Sequence, residues 1–489
     1  MIDWADSLQR FGPIAIVLIT AIVVLAADLL TRRKEVLAGL AVAGLALSAA
    51  YSIQLIVSDE QGPAFADTLV LDDFAAFFQI LFAGAAAVVI LSSTGYAERL
   101  RVGGEYLALI LTATAGMMLM ASTTDLLAIY ISLELTSVSL YVLTALSRDE
   151  RSAEAGLKYL LMGAVSSSVV LYGMAFLFGA TGSTSLEGIG EAIATDYEGI
   201  EFAVILGVVF LVGGFAFKLS TIPFQMWTPD VYEGAPTPVA ALLSVGSKAA
   251  GFAMLLRVFY TAFADAEVAA DWEILVAGIA AVSMVIGNFL ALPQTNIKRL
   301  LGYSSIAQAG NIMVGVAAVG AGNDEFAIGA AGTIFFLASY AFTNLGAFIA
   351  VIAISNRLGS DSISDYAGLG RTWPLPAAAL ALCLLSLTGL PPTVGFWAKL
   401  YIFNAAAQAE LWWLVLIAVG NTAVAAFYYL GIVAQMYLKE GPEREERRPA
   451  LGLPLGVSIA ATTLGVFVFG LVPGPLIEAA ESAAAVFAG

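Results

Sequence analysis

The sequence predicts an all-α polytopic membrane protein of about fourteen transmembrane helices, and three observations carry that reading. The 489 residues are 60% hydrophobic and 12% charged, against roughly a quarter charged in soluble domains, with a mean hydropathy of +0.90. Apolar runs recur from Phe11 to the C-terminus, long enough as helix to cross a bilayer core, which takes about 20 residues. The runs are continuous rather than alternating, which excludes a transmembrane barrel.

Taken in order, the segments lie near 12–30, 36–57, 74–93, 105–122, 124–146, 155–180, 201–230, 237–262, 271–292, 300–319, 326–356, 374–409, 410–438 and 450–471. The first follows Met1-Ile-Asp-Trp-Ala-Asp, which lacks the basic start of a signal peptide, so it is expected to be retained as a span. Segments seven and twelve are over-long and interrupted, one by Lys218-Leu-Ser-Thr-Ile-Pro223 and the other by Gly389-Leu-Pro391-Pro392-Thr-Val-Gly395. Proline removes a backbone donor and clashes with the preceding turn, so both helices are expected to break there. Paired breaks of this kind point to a transporter-type site built from internal repeats. Segments four to eight and nine to thirteen form two candidate five-helix units. Thr124-Asp125-Leu126 and Thr295-Asn296-Ile297 occupy similar places in them. An odd number of spans per unit makes the second unit inverted. The expected organisation is an N-terminal three-helix segment (1–104), a first repeat (105–262), a second repeat (271–438) and a C-terminal loop with the last span (439–489).

Composition excludes several functions. A net charge of −17 argues against nucleic-acid binding, which needs a basic surface. There is no histidine and a single cysteine, Cys383. His-ligated haem, Rieske centres, histidine zinc sites and iron–sulfur clusters are therefore not expected on this chain.

Alternate loops differ sharply in basic residues. One set carries Arg32, Arg33, Lys34, Arg99, Arg101, Arg148, Arg151, Lys298, Arg299, Arg357, Arg371, Lys439, Arg444, Arg447 and Arg448, and the other only Arg10. The positive-inside rule makes the first set cytoplasmic and places both termini outside. The acidity concentrates on the outer loops, in stretches such as Glu187–Glu201 and Asp265–Glu273. Two charges within spans read as structural. Asp28 stands four residues before Arg32, a helix-surface pair, and Arg257 near the outer end of its span can snorkel to the interface.

The other intramembrane charges are Glu134, Lys158, Lys218, Lys248 and Lys399. A charge at the bilayer centre costs about 2.5–3.5 kcal/mol on insertion scales. A static ion pair between Glu134 and one lysine explains two of these charges, whereas a proton or cation path explains all. Burial favours a neutral amine and a nearby carboxylate favours the ammonium. A carboxylate that moves can thus switch a buried lysine between holding and releasing a proton. Ser132, Thr136, Ser166, Ser167, Ser244, Ser247, Ser304, Gln308, Thr343 and Asn344 lie within spans and can order water between the lysines, although such residues also serve helix packing.

The stretches Lys218–Pro238, Ser244–Phe252, Ile297-Lys-Arg-Leu-Leu-Gly-Tyr-Ser-Ser-Ile-Ala307 and Leu390-Pro-Pro-Thr-Val-Gly-Phe-Trp-Ala-Lys399 resemble the antiporter-like subunit N family of proton-pumping NADH:quinone oxidoreductase, respiratory complex I. The resemblance covers nearly the whole chain. It implies fourteen helices, with inverted five-helix repeats and discontinuous helices in segments seven and twelve. It implies a proton path through Glu134, Lys158, Lys218, Lys248 and Lys399, in which Glu134 modulates Lys218, Lys248 relays laterally and Lys399 is the outlet. Pro223, Pro391 and Pro392 are the helix breaks, and Gln225, Ser304 and Gln308 are supporting polar groups. It further implies that FMN, iron–sulfur clusters and quinone reside on other subunits, that M-type and K-type subunits are neighbours, and that the chain sits in a prokaryotic inner membrane. Lys399 argues against the M-type, which usually has glutamate there. The L-type has a long lateral helix after its core, whereas about 18 residues follow the last span here. Three positions depart from the pattern: Gln225 and Gln308 stand where many relatives have histidine, and Gly431 where arginine is common. Glutamine orients water but does not titrate near neutrality, so no histidine relay operates at those two positions. A free-standing or Mrp-type cation/proton antiporter subunit and a non-pumping structural arm are the alternative readings.

Overall fold

The computed structural model describes residues 4–31, 33–98, 100, 102–319, 323–441 and 451–488. Arg32, Arg99, Arg101, Arg444, Arg447 and Arg448, all assigned to the cytoplasmic loops, lie outside the described residues. The fold is helical throughout apart from a small hairpin, β1 (Gly62–Ala64) paired antiparallel with β2 (Leu69–Leu71).

The helices follow the apolar segments. The first six are α1 (Gly12–Leu30), α2 (Lys34–Val57), α3 (Asp73–Ser92), α4 (Gly103–Ser122), α5 (Leu126–Thr144) and α6 (Glu150–Thr181). Segment seven divides into α7 (Leu186–Leu219) and α8 (Trp227–Gly234). Next come α9 (Thr237–Ala262), α10 (Ala266–Ala291), α11 (Ile297–Ala317) and α12 (Asn323–Leu358). Segment twelve divides into α13 (Pro374–Thr388) and α14 (Val394–Gln408), followed by α15 (Trp412–Leu438), α16 (Leu453–Leu471) and a short α17 (Gly474–Ala484). Twelve of these are long and apolar enough to cross a membrane. The two halves of segment twelve are too short singly, and α11 carries Lys298, Arg299, Ser304, Ser305, Gln308 and Asn311. In α9 the whole of the most apolar stretch is buried and in α12 94% of it, against a third for α1, α2, α15 and α16. The core therefore lies around α9 and α12, and the outer helices turn apolar faces outward.

Local chemistry sets many of the helix ends. Asp72, Asp125, Asp149, Ser185 and Asn296 each accept a backbone N–H as N-caps, satisfying donors the first turn leaves open. The acidic stretch from Glu187 is helical and runs into the span through a kink at Asp196. The sequence reading began this segment at residue 201; the Ser185 cap and buried Leu186, Ile189 and Ile193 extend it outward.

The two candidate repeats are braced in the same way. Leu126 N donates to Thr184 O (2.8 Å) and Leu186 N to Thr124 O (2.9 Å); Ile297 N donates to Asp361 O (2.9 Å) and Ile363 N to Thr295 O (2.8 Å).

At both breaks the freed backbone groups find partners, as membrane depth requires. After α7, Thr221 N donates to Ala216 O (2.9 Å), Trp227 Nε1 to Phe217 O (3.0 Å), and Ile222 N to Ser283 Oγ (3.1 Å). After α13, Gly389 adopts φ +88° and Gly395 N donates to Ser386 Oγ (3.1 Å). Gly395 has no room for a side chain, because an added Cβ would sit 2.0 Å from the Ser386 carbonyl oxygen. Gly395→Ala is expected to destabilise the chain by about 1–3 kcal/mol, the usual range for overpacking, read as a lowered melting temperature in detergent.

Asp28 pairs with Lys34, in keeping with its structural reading, and its expected partner Arg32 lies outside the described residues. The assignment of Arg257 is corrected. Arg257 does not snorkel: it is 5% exposed and its guanidinium binds Asp72 through two bonds of 2.6 and 2.9 Å. It also donates to Ala121 O (3.0 Å) and lies 4.6 Å from the Phe74 ring centroid. A carboxylate from a distant segment holds the side chain inside.

Candidate functional site

Three of the five proposed charged residues are core groups. Lys218, Lys248 and Lys399 are 2%, 1% and 5% exposed, and no ion pair to a carboxylate forms at any of them among the described residues. Their surroundings differ. Lys218 ends α7 just before the break, and its Nζ has no hydrogen-bond partner. Gly251 of α9 packs against it, since a Cβ there would meet Lys218 Cβ at 3.2 Å.

Lys248 lies in α9 directly after a π-helical turn, Leu243–Ser247. Its ammonium bonds the carbonyl oxygen of Ser305 and, at 2.6 Å, the Ser305 hydroxyl. Tyr340 donates to the same hydroxyl (3.2 Å) and Tyr232 lies 3.3 Å from it. The lysine is thus held by oxygens that do not neutralise its charge.

Lys399 reaches back from α14 to the end of α13. It donates to Thr388 O (3.0 Å) and Thr422 Oγ1 (3.3 Å), so the break presents a free carbonyl and the lysine satisfies it. A cation at a helix C-terminus is favoured by the backbone dipoles. Gln308 does the same for the neighbouring Leu387 O (3.0 Å).

Glu134 and Lys158 stand apart from these three. Glu134, on α5, is half-buried and accepts the Ser167 hydroxyl. No ion pair joins it to a lysine among the described residues, so this conformation lacks the static bridge weighed from sequence. Lys158 has a side chain 44% exposed and pairs with Glu154 and Asp230, each at 2.8 Å. Arg299 completes that cluster, 2.7 Å from Asp230 and 3.0 Å from Glu233. Lys158 is therefore a solvated ion-pair partner here, not part of the buried line. The break prolines Pro223, Pro391 and Pro392 are exposed, and Gln225 is half-buried with Oε1 unpartnered. Gly431 is exposed with open space around it, so its departure from the expected arginine does not touch the lysines.

Several of the supporting polar residues prove local. Ser132, Thr136 and Ser244 bond carbonyls of their own helices. Others cross between helices: Ser166 to Gly214 O (2.7 Å), Asn344 to Ser244 Oγ (2.8 Å), Thr343 with Ser386 (3.0 Å). Ser247 Oγ is unpartnered. Ser304 pairs with the Tyr429 hydroxyl. Ser305, Tyr232, Tyr340, Thr422 and Tyr429 went unselected from sequence. Tyrosine within a span is ordinarily packing, and the one available signal was the double serine Ser304-Ser305 in a helix already holding Gln308. A cavity of about 560 Å³ at the end bearing the basic loops is lined in part by Arg151, Glu233, Lys298 and Asp361. Three buried, ion-unpaired amines, two of them bonded to hydroxyls and carbonyls, suit proton transfer; among the described residues, no cluster of metal-ligating side chains occurs.

Comparison with known proteins identifies the family. Residues 123–425 match the family described as NADH:quinone oxidoreductase/Mrp antiporter, TM. NADH-quinone oxidoreductase subunit N of Dehalococcoides mccartyi is 44% identical over 97% of this chain and 99% of its own length. A chain of respiratory complex I from Thermus thermophilus is 32% identical, with a TM-score of 0.79 over 95% of this chain and 98% of that one. A chain of the Mrp complex from Dietzia sp., 22% identical, shares the fold with a TM-score of 0.87 over 99% of this chain and 97% of that one. The chain is an integral membrane protein that belongs to the NADH:quinone oxidoreductase/Mrp antiporter family, alongside its subunit N members.

Proposed function

We propose that this chain is a proton-translocating membrane-arm subunit of a type I NADH:quinone oxidoreductase, moving protons along a buried Glu/Lys and water chain while quinone is reduced in other subunits. The observation that carries this reading is the burial of Lys218, Lys248 and Lys399 without carboxylate partners. Helix packing alone does not repay three such groups, each costing about 2.5–3.5 kcal/mol at the bilayer centre. Glu134 acts on Lys218 through its field, Lys248 carries the proton laterally and Lys399 is the outlet. Lys158, exposed and ion-paired, contributes at most at the cytoplasmic margin.

The chain performs no redox step. FMN, iron–sulfur clusters and quinone belong to other subunits, with M-type and K-type subunits as neighbours. The chain spans a prokaryotic inner membrane with both termini outside, as the distribution of Arg and Lys favours. The braces at Asp125 and Asn296, on opposite faces, support two inverted five-helix repeats.

The shared fold with the Dietzia Mrp chain keeps an Mrp-type antiporter as the second reading. Reconstitution of the purified chain in liposomes separates the two. No exchange of Na⁺ or K⁺ for H⁺ is expected in the absence of redox partners, and robust exchange would support the antiporter instead.

A further inference from the structure

We infer that the Tyr429 hydroxyl is the relay between the Lys248 and Lys399 pockets, and that Gln308 positions it; the inference rests on the proton-translocating reading above. Tyr429 is fully buried on α15. Its hydroxyl meets Ser304, the residue next to the Ser305 that binds Lys248. The Gln308 amide donates to Tyr429 (3.4 Å) and to Leu387 O (3.0 Å), while its oxygen accepts from Asn311 Nδ2 (3.4 Å). Those contacts set the amide orientation, which in turn directs the Tyr429 O–H toward Ser304.

The same helix face reaches the outlet. Thr422, which bonds Lys399, stands seven residues before Tyr429. That is two turns, about 10.5 Å along one face. A second ladder holds this face in register, because Asn288 of α10 donates to Asn421 Oδ1 (3.1 Å) and accepts from Tyr428 (2.9 Å). The α15 helix therefore presents one hydroxyl to each pocket.

The proposed transfer balances as a hydroxyl relay. A proton leaving Lys248 passes through Ser305, and water carries it to Ser304. Each oxygen that accepts a proton releases its own, so Ser304 and Tyr429 end unchanged. Water then delivers the proton to the Lys399 amine. Gln308 has no titrating group, which leaves the phenol as the only O–H contacting both Ser304 and Gln308 among the described residues.

The test is proton pumping per NADH oxidised in vesicles containing the whole complex. Tyr429→Phe keeps the ring and is expected to lower pumping to the level of Lys248→Ala. Gln308→His should restore it in the double variant, because residues four apart on a helix are neighbours and an imidazole at 308 can reach Ser304 directly. Full pumping in Tyr429→Phe alongside loss in Lys248→Ala overturns the relay, as does a loss that Gln308→His fails to rescue. Full pumping in Lys248→Ala instead overturns the parent reading. Should Tyr429→Phe fail to assemble, Gln308→His alone decides. Its pumping should acquire a pH dependence that wild type lacks, because imidazole titrates and the amide does not, and a profile identical to wild type rejects the proposal.

Discussion

Lys218→Met is expected to lower proton pumping by the assembled complex while making the chain more stable. The two effects have one origin. Lys218 Nζ is enclosed, 2% of the residue is exposed, and no oxygen receives its hydrogen bonds. A buried polar or charged group without hydrogen bonds carries an uncompensated desolvation cost, so exchanging it for an apolar side chain of like volume is expected to be stabilising. Methionine fills the same space without the charge and adapts to irregular surroundings. A group whose removal stabilises the fold is retained for function, in keeping with the general conflict between stability and activity. Thermal unfolding and pumping measured on one preparation check both halves. A fall in stability with pumping intact would make Lys218 structural.

Arg257→Met is expected to have the opposite effect on stability, costing about 3–5 kcal/mol, the range for breaking a buried pair from one side. Arg257 joins four elements: α9, the capped start of α3, the end of α4 and the C-terminal Phe487, whose ring lies 6.0 Å away. Asp72 is tied twice, since it also caps α3 at Ala75 N (2.8 Å). Removing both partners, as in Arg257→Met with Asp72→Ala, should cost less than the sum, because the stranded carboxylate goes too. The pH dependence has a definite sign. Burial pushes the Asp72 carboxyl up, but the charge and hydrogen bonds of Arg257 and the Ala75 N–H outweigh it and hold the group below its ordinary 3.8. A depressed carboxylate contributes stability above its unfolded value and loses it as pH falls through the folded one. The gap in melting temperature between wild type and Arg257→Met should therefore be full near pH 7 and narrow on acidification below about 4. A gap that widened in acid would contradict the pair.

The burial of the central lysines was legible from the sequence, whereas direction around each helix was not. Lys248 stood out by its place near the middle of its span, Lys218 and Lys399 by their places at the two breaks, and all three are buried. Lys158, nearer the end of its span, lies on the outward face of α6, among exposed Leu157, Leu160 and Leu161. A span facing lipid or a neighbour is apolar on that face, so hydrophobic periodicity is too weak to orient it. The two breaks were visible because proline and glycine act locally. What satisfies them was not, because Lys399 and Gln308 arrive from other helices to meet Thr388 and Leu387. The same limit applied to ion pairs. Arg257 was matched to the interface, whereas its partner is Asp72. Tyr429 escaped notice because a phenol within a span has no sequence mark separating a relay from packing.

The most direct test of the account is the number of protons translocated per NADH oxidised in sealed inside-out vesicles, compared among wild type, Lys218→Met and Lys248→Ala. The account predicts a lower ratio in both variants with the complex fully assembled. An unchanged ratio in both would contradict it and leave these buried lysines without a role in proton transfer.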